Sequence, residues 1–367
     1  MRFPISIVGA GTAGLIAARR LGELGFSPTV YDQKRILGVP VRASGILSLS
    51  GIARLGIDYS GCETNRLYGA KIYAGRSALR IKSKAPMAVV LDRKKLSDAC
   101  YDQAQASGAK VITGKRLGGQ VLDEMSGRGV VVGADGAVSS VARHFGFGEI
   151  GKFALTYKAE YEVEAAERGM VELFFDNGNY PGLFGWTCPN RKDLLEVGVG
   201  LYSGNGNARA AFDRLIKTEQ IASVIGNRRP VDHGASMIPM RMRKSIVDER
   251  RRAMLVGDAA GQVKATTGGG IIFGGSAALM AAGAIARNAD SGAPLSDYER
   301  EFRRTYGLDL SMHYMINKVY SDMGAWSMEK ALSAMKMLGL DRFLSAYGDM
   351  DRPSLILKRF FLRGFAR

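Results

Sequence analysis

An apolar run, Ile5 to Val8, leads straight into Gly9-Ala10-Gly11-Thr12-Ala13-Gly14, and this spacing of glycines leaves the backbone few choices. Gly9 permits a tight turn out of a strand, Gly11 lets backbone N–H groups approach a pyrophosphate, and Gly14 lets the next helix pack closely. The helix follows at once. Leu15, Ala18, Leu21 and Leu24 recur near helical spacing, Gly25 is placed as a C′ stop, and Thr29 to Tyr31 read as a second strand. Asp32, with Gln33 beside it, ends that strand roughly 20 residues past the fingerprint, where a carboxylate accepts hydrogen bonds from an adenosine ribose. A glycine-rich turn without a ligand is the plainer alternative; strand, helix and distal acid together argue for a bound dinucleotide.

A second glycine-rich stretch identifies the dinucleotide. Arg250-Arg251-Arg252 precede a short strand, Ala253 to Val256, which runs into Gly257-Asp258-Ala259-Ala260-Gly261 and then Thr267-Gly268-Gly269-Gly270-Ile271. Asp258 falls at a strand end, where its carboxylate can accept from a ribityl hydroxyl. NAD has no ribityl chain, so the two motifs together point to FAD. Gly268, Gly269 and Gly270 open a long apolar helix from Ile271, whose free N–H groups and positive dipole end suit phosphates and the electron-rich edge of a flavin. From Ala265 to Ala286 no residue is charged, which meets the length criterion for a membrane span. Gly and Ala dominate it, and Gly270 and Gly274 form a small-residue pair, so a core helix packed on a cofactor and a sheet is expected instead.

At 367 residues the chain can hold two domains and a large core. A formal net charge of +16 predicts a positive surface that attracts anionic partners. The basic residues are scattered, with no finger, helix-turn-helix pattern or aromatic RNP-like strand, so nucleic acid is not expected. Anionic lipid, a phosphorylated substrate or an acidic electron carrier explains the charge as well. Cys62, Cys100 and Cys188 are odd in number and widely spaced, which implies neither a disulfide framework nor a metal site and suits a reducing cytoplasm. With the fingerprint beginning at Gly9, no signal peptide is expected ahead of the first strand.

The fold class expected is α/β with an α+β second domain. Residues 1–50, 86–150 and 245–290 carry the motifs of a discontinuous, Rossmann-like FAD-binding domain. Residues 51–85 and 151–244 form an antiparallel-sheet substrate domain, because Leu67 to Ile81 and Leu155 to Tyr202 alternate apolar and polar positions. Residues 291–367 read as a helical region, with Tyr298, Phe302 and Tyr306 repeating every four residues. Gly204-Asn205-Gly206-Asn207 lacks a third glycine, and the helix after it simply packs Ala211, Phe212 and Leu215, so no second nucleotide-binding domain is expected. Arg352 to Arg367 carries cations and no acid: Arg359, Arg363 and Arg367 share one helical face, and Leu357, Phe361 and Phe365 another. That is the pattern of an interfacial helix on anionic lipid, or of a packed terminal helix with a basic outer face.

Pro181-Gly182-Leu183-Phe184-Gly185-Trp186-Thr187-Cys188-Pro189 resembles the Pro-x-x-Tyr-x-Trp-x-Phe-Pro motif of the geranylgeranyl reductase family, of the archaeal digeranylgeranylglycerophospholipid type. Phe184 replaces the tyrosine and Cys188 the second aromatic. Gly38-Val39-Pro40-Val41-Arg42, with Leu47-Ser48, is similar to the family's loop over the flavin, and Ala43 stands where many relatives carry cysteine. Leu91-Asp92-Arg93 looks like the family's acid–arginine pair, with Arg93 expected near the cofactor. Gly133-Ala134-Asp135-Gly136, with Ser139 and Arg143, resembles the broader flavoprotein group that includes p-hydroxybenzoate hydroxylase.

The resemblance implies an FAD-dependent reductase that saturates geranylgeranyl chains of a membrane lipid or its precursor. Hydride from N5 of reduced flavin reaches one alkene carbon and a proton the other; Ala43 cannot supply that proton. Phe184, Trp186 and Pro189, with Ala43 and Gly45, are the expected substrate residues. Gly9, Gly11, Thr12, Ala13, Gly14, Asp32, Gln33, Arg42, Ala43, Arg93, Gly257, Asp258, Gly268, Gly269, Gly270 and Ile271 are the expected cofactor residues, and no metal is expected. Electrons arrive from NAD(P)H or a ferredoxin-like carrier, and the enzyme is cytoplasmic, peripheral on the inner membrane face. Two rival readings share the cofactor motifs: an aromatic hydroxylase, and a membrane electron-transfer flavoprotein reducing quinone.

Overall fold

The computed structural model describes residues 3–41 and 43–364, the last four as helical backbone. Strand Ile5–Val8 sits inside a six-stranded sheet, between Thr29–Tyr31 and Val130–Gly133, and pairs parallel with both. Lys110–Ile112 and Ala253–Leu255 extend the sheet in parallel on either side, and Val247–Asp248 closes one edge antiparallel. Ile5–Val8, Val130–Gly133 and Ala253–Leu255 are buried at every position, as continuous apolar strands covered on both faces should be. This is the α/β layer that the fingerprint predicts.

Helix Thr12–Glu23 buries Leu15, Ile16, Ala18 and Leu21 and packs against helix Ile271–Ser291. That second helix is long and apolar enough to cross a membrane, yet 67% of its apolar window is buried inside the protein. Its small residues explain why. A Cβ at Gly274 would stand 2.8 Å from the Gly257 Cα, and one at Gly275 would stand 2.9 Å from Ile16 and Leu55. The helix therefore lies directly on the Gly257 turn and on the fingerprint helix.

The second sheet has seven strands in the order Asp232–Pro239, Phe153–Glu162, Leu194–Tyr202, Gly185–Arg191, Met170–Phe175, Gly69–Ala74 and Ser77–Lys82. Every junction is antiparallel except one: Met170–Phe175 runs parallel to Gly69–Ala74. Alternation predicts a face and not a direction, and these two strands come from distant segments that no hairpin joins. A further small antiparallel sheet, Ile46–Ser48, Ala88–Leu91 and Glu63–Leu67, draws its strands from both sides of Gly69–Ala74 and Ser77–Lys82 in sequence. Residues 51–62 are expected with the substrate sheet. Instead Ile52, Leu55, Ile57 and Cys62 pack in the same core as Leu15 and Ile272, because helix Leu49–Leu55 turns its apolar face toward the fingerprint layer. Asn207 caps helix Ala208–Leu215, which buries Ala211, Phe212 and Leu215.

The C-terminal region is helical: Asp297–Asp322, Ala325–Met337, Leu340–Tyr347 and Pro353–Gly364. Tyr298, Phe302 and Tyr306 are buried along one face. The Tyr298 hydroxyl donates to the Leu255 carbonyl (2.8 Å) and accepts from Gln262 (2.7 Å), whose Oε1 in turn accepts from Gly257 N–H at 2.7 Å. Farther on, buried Asp351 accepts from Lys264 Nζ at 2.8 Å and from the Ser48 hydroxyl. The tail is thereby bolted to the segment that leads into Gly268.

Burial alone would raise the Asp351 carboxyl, but Lys264, Ser48 and Arg54 outweigh it and hold it below the usual carboxylate range. Its stabilisation is therefore present above an ordinary carboxylate value, about 3.9, and is lost as pH falls through the lower folded value. Asp351→Asn, which leaves the Lys264 ammonium buried without its partner, is expected to cost about 3 kcal/mol in urea unfolding at neutral pH. The difference from wild type should shrink below about pH 4.

Candidate functional site

The carboxyl ends of strands Ile5–Val8, Thr29–Tyr31 and Val130–Gly133 open onto a cleft of about 560 Å³. Gly9, Gly11, Thr12, Asp32, Gln33, Ala43 and Arg93 all line it. Gly9 has φ of 107°, and a Cβ there would lie 2.2 Å from the Ala134 carbonyl oxygen, so the turn admits only glycine. A Cβ on Gly14 would meet the Gly9 carbonyl oxygen at 2.0 Å, which is how closely the helix sits on its own turn. Gly11 is different: a Cβ there would meet nothing within 4 Å, because it borders the open cleft. No side chain caps helix Thr12–Glu23 at Gly11, so its first N–H groups are free to receive an anion. Asp32 accepts from Ala10 N–H (2.7 Å) and Lys34 N–H (2.8 Å), which fixes the turn and leaves lone pairs for hydroxyls. Lys115, Arg116 and Arg143 add positive charge to the lining. Arg42 lies outside the described residues.

The second motif meets the first at its base. Gly257 begins a short 3-10 turn whose missing Cβ would stand 3.0 Å from that of Ala13, and a Cβ at Gly270 would stand 2.7 Å from Asp258 Oδ1. Lys264 and Gly269 form a backbone bridge that folds Gly268, Gly269 and Gly270 back before the helix starts at Ile271. Two polar groups are left over. Arg93, at the start of a helix capped by Asp92, has a buried Nη1 with no hydrogen-bond partner among the described residues. The Asp258 side chain likewise makes no hydrogen bond among them. Burial pushes its carboxyl up to about 6 against the pull of Arg93. An unpaired guanidinium, an unpaired carboxylate, an uncapped helix start and a cationic rim together fit the phosphates and hydroxyls of FAD.

The expected substrate residues divide. Phe184 and Trp186 meet edge to face with ring centroids 6.3 Å apart, and Phe175 and Tyr320 extend the cluster. Ala265 packs in the same cluster, a Cβ at Gly268 would touch Ile238 of it at 2.7 Å, and the Tyr320 hydroxyl donates to the Thr266 carbonyl at 2.9 Å. The aromatic wall is thus continuous with the glycine segment of the second motif. Ala43 borders the cleft, and Gly45 lies so close to the Leu91 carbonyl that a Cβ would be 1.9 Å from its oxygen. Pro189 lies elsewhere. It sits within strand Gly185–Arg191 just before a register shift, and its carbonyl accepts from Asn65.

Sequence reasoning missed a polar cluster joined to this wall through the Trp186 indole: half-buried Ser44 with buried Lys158 and Glu196. One sign was readable, a single acid in the otherwise apolar run Leu194–Tyr202. The histidines take no part in the cleft. His313 is buried between Thr266 and the Asp351 carbonyl, and burial, helped by Lys264, pushes it down to about 4; His144 pairs with Asp123, and His233 stacks on Tyr157. Among the described residues no group of three or more His, Cys, Asp or Glu is placed to hold a metal ion.

The raised Asp258 value has a measurable sign. Its charge is unfavourable in the folded cofactor-free protein, so the stability cost appears as pH rises through about 6. Asp258→Asn should stabilise the FAD-stripped protein by on the order of 2 kcal/mol at pH 8, with the gain vanishing below about pH 4. The same change should weaken FAD binding, read from flavin fluorescence at equilibrium.

Comparison with known proteins agrees with this geometry. Digeranylgeranylglycerophospholipid reductase 2 of Methanothermobacter thermautotrophicus is 26% identical over 96% of this chain and 98% of its own length. A geranylgeranyl bacteriochlorophyll reductase-like protein of Thermoplasma acidophilum superposes with a TM-score of 0.80 at 19% identity, covering 97% of this chain and 95% of that one. A flavin-dependent brominase reaches 0.70 at 15% identity with both chains fully covered, so the fold alone serves several chemistries. The FAD binding domain family model matches residues 2–303. The cofactor is FAD. The chain belongs to the FAD binding domain family of flavoproteins, to which it is joined by both glycine motifs and the sheet between them.

Proposed function

We propose that the protein is a flavin-dependent reductase that saturates C=C bonds in the geranylgeranyl chains of a membrane lipid or lipid precursor. The observation that carries this reading is the aromatic wall of Phe184, Trp186, Phe175 and Tyr320, which packs with Ala265 and lies against Gly268 of the second glycine motif. Reduced FAD supplies the two electrons. The chain's own part is to hold the cofactor through Gly9, Gly11, Asp32, Arg93, Asp258 and the Gly268 segment, and to lay an apolar chain against the wall with water excluded. The names of the reductase relatives support the same substrate class. Reducing equivalents reach the flavin from NAD(P)H or a ferredoxin-like carrier, and the enzyme works at the cytoplasmic face of the membrane.

The lipid surface has its own support in the second half of helix Asp297–Asp322, where polar residues are buried and apolar ones exposed. Asp309, His313 and Asn317 are buried, at 1%, 4% and 0% exposed. On the outer side Leu308, Met315 and Val319 are 66%, 58% and 52% exposed, and Trp326 and Met337 of the next helix, with Leu338 at its end, are more exposed still. Such a face favours an apolar boundary over water. Leu357, Lys358, Arg359 and Phe360 are exposed on helix Pro353–Gly364; the Phe361 and Arg363 side chains, and Phe365 and Arg367, lie outside the described residues.

Anaerobic mixing of dithionite-reduced protein with a geranylgeranyl lipid should add one H₂ per double bond by mass spectrometry. Oxygen uptake coupled to hydroxylation of an aromatic ring, with no saturation, would instead establish a hydroxylase. Met315→Glu with Val319→Glu should weaken co-sedimentation with phosphatidylglycerol vesicles roughly tenfold or more, with FAD content unchanged.

A further inference from the structure

Strand Leu194–Tyr202 is buried along all 9 residues, and Glu196 is the acid within it. Its carboxylate has three donors. Lys158 Nζ reaches Oε2 at 2.7 Å, while the Trp186 indole N–H, at 2.9 Å, and the Ser44 hydroxyl both reach Oε1. Lys158 also contacts Glu160 at 3.3 Å, so the ammonium stands between two carboxylates; burial lowers its value, and the two acids outweigh that and raise it.

The donors on Oε1 come from opposite parts of the site. Ser44 lies between Ala43, which borders the cofactor cleft, and Gly45, whose carbonyl accepts from Leu91 N–H at 2.9 Å. Trp186 belongs to the aromatic wall and packs so closely on Gly198 that a Cβ there would stand 2.1 Å from the indole. The indole plane is therefore held by Gly198 on one side and by Glu196 at its N–H. A buried ion pair is a poor source of stability beside apolar side chains of equal volume, so packing alone does not account for charge in this strand.

We propose that Glu196 is a positioning residue that ties the cleft-side loop 43–45 to the Trp186 indole through a single oxygen, with Lys158 as its counter-charge. Binding of FAD against the loop and alignment of the substrate against the wall are then coupled. The substrate half of this proposal rests on the prenyl-reductase reading; the cofactor half does not.

Two paired variants separate positioning from folding, since each removes both charges together. Glu196→Gln with Lys158→Met keeps an acceptor for Ser44 and Trp186, whereas Glu196→Leu with Lys158→Met keeps none. Both should unfold at temperatures close to wild type. FAD dissociation constants of the stripped proteins, read by flavin fluorescence, should stay within about threefold of wild type for the Gln pair and weaken roughly tenfold for the Leu pair. Ser44→Ala should weaken FAD binding in the wild-type background and add nothing in the Leu pair. With geranylgeranyl lipid, the Leu pair should raise KM more than it lowers kcat. Equal FAD affinity in the two pairs, or an undiminished Ser44→Ala effect in the Leu pair, overturns the proposal. If the FAD results hold but the wild-type enzyme reduces no prenyl lipid, the reductase reading falls and the cofactor tie stands.

Discussion

The parallel alignment of Ile5–Val8 between Thr29–Tyr31 and Val130–Gly133 is the constraint on which the rest depends. Parallel pairing brings the carboxyl ends of all three strands to one edge, and the chain must leave each of them by a turn at that edge. Gly9, Asp32 and Ala134 meet there because of it, with Gly9 folded against the Ala134 carbonyl. Ala253–Leu255, added in parallel beside Val130–Gly133, delivers Gly257 and Asp258 to the same edge. Two motifs far apart in sequence are thus made neighbours by strand direction before any side chain acts.

What was legible in the sequence was what a few consecutive residues determine. The fingerprint, its helix and the acid after the second strand are local, because glycine spacing and backbone sterics decide them without help from the rest of the chain. The buried apolar character of Ile271–Ser291 was equally plain from its Gly and Ala content, since small side chains indicate close packing wherever they occur in a helix. The parallel junction of Met170–Phe175 with Gly69–Ala74 was not legible, because alternation gives the face of a strand and not its neighbour. Nor was the placement of Leu49–Leu55, whose apolar face would suit either core. Glu196 was visible as an odd charge, but its partners Ser44, Trp186 and Lys158 come from three other segments and only the fold assembles them.

Two buried lysine–carboxylate pairs recur at the seams of the molecule. Lys158 with Glu196 lies where the large sheet meets the loop of the cleft, and Lys264 with Asp351 lies where the tail meets the Gly268 segment. Apolar contacts would hold such seams as firmly, but they tolerate sliding, whereas a hydrogen-bonded charge pair accepts one arrangement. The second half of helix Asp297–Asp322 follows the same logic: its buried Asn317 donates to the Gly182 carbonyl and accepts from the Tyr202 hydroxyl, which fixes the helix against the turn before strand Gly185–Arg191 and the end of strand Leu194–Tyr202.

The discontinuous sheet also sets an order of events during synthesis. Ile5–Val8 is made first, yet its neighbour Val130–Gly133 and the strand beyond, Ala253–Leu255, emerge from the ribosome much later. The nucleotide layer cannot close until the Gly268 segment has been made, after the whole large sheet. Completion of the layer that brings both motifs together is therefore a late step in the maturation of the chain, and a nascent protein stalled before that point exposes the apolar underside of its first helix to whatever is nearby.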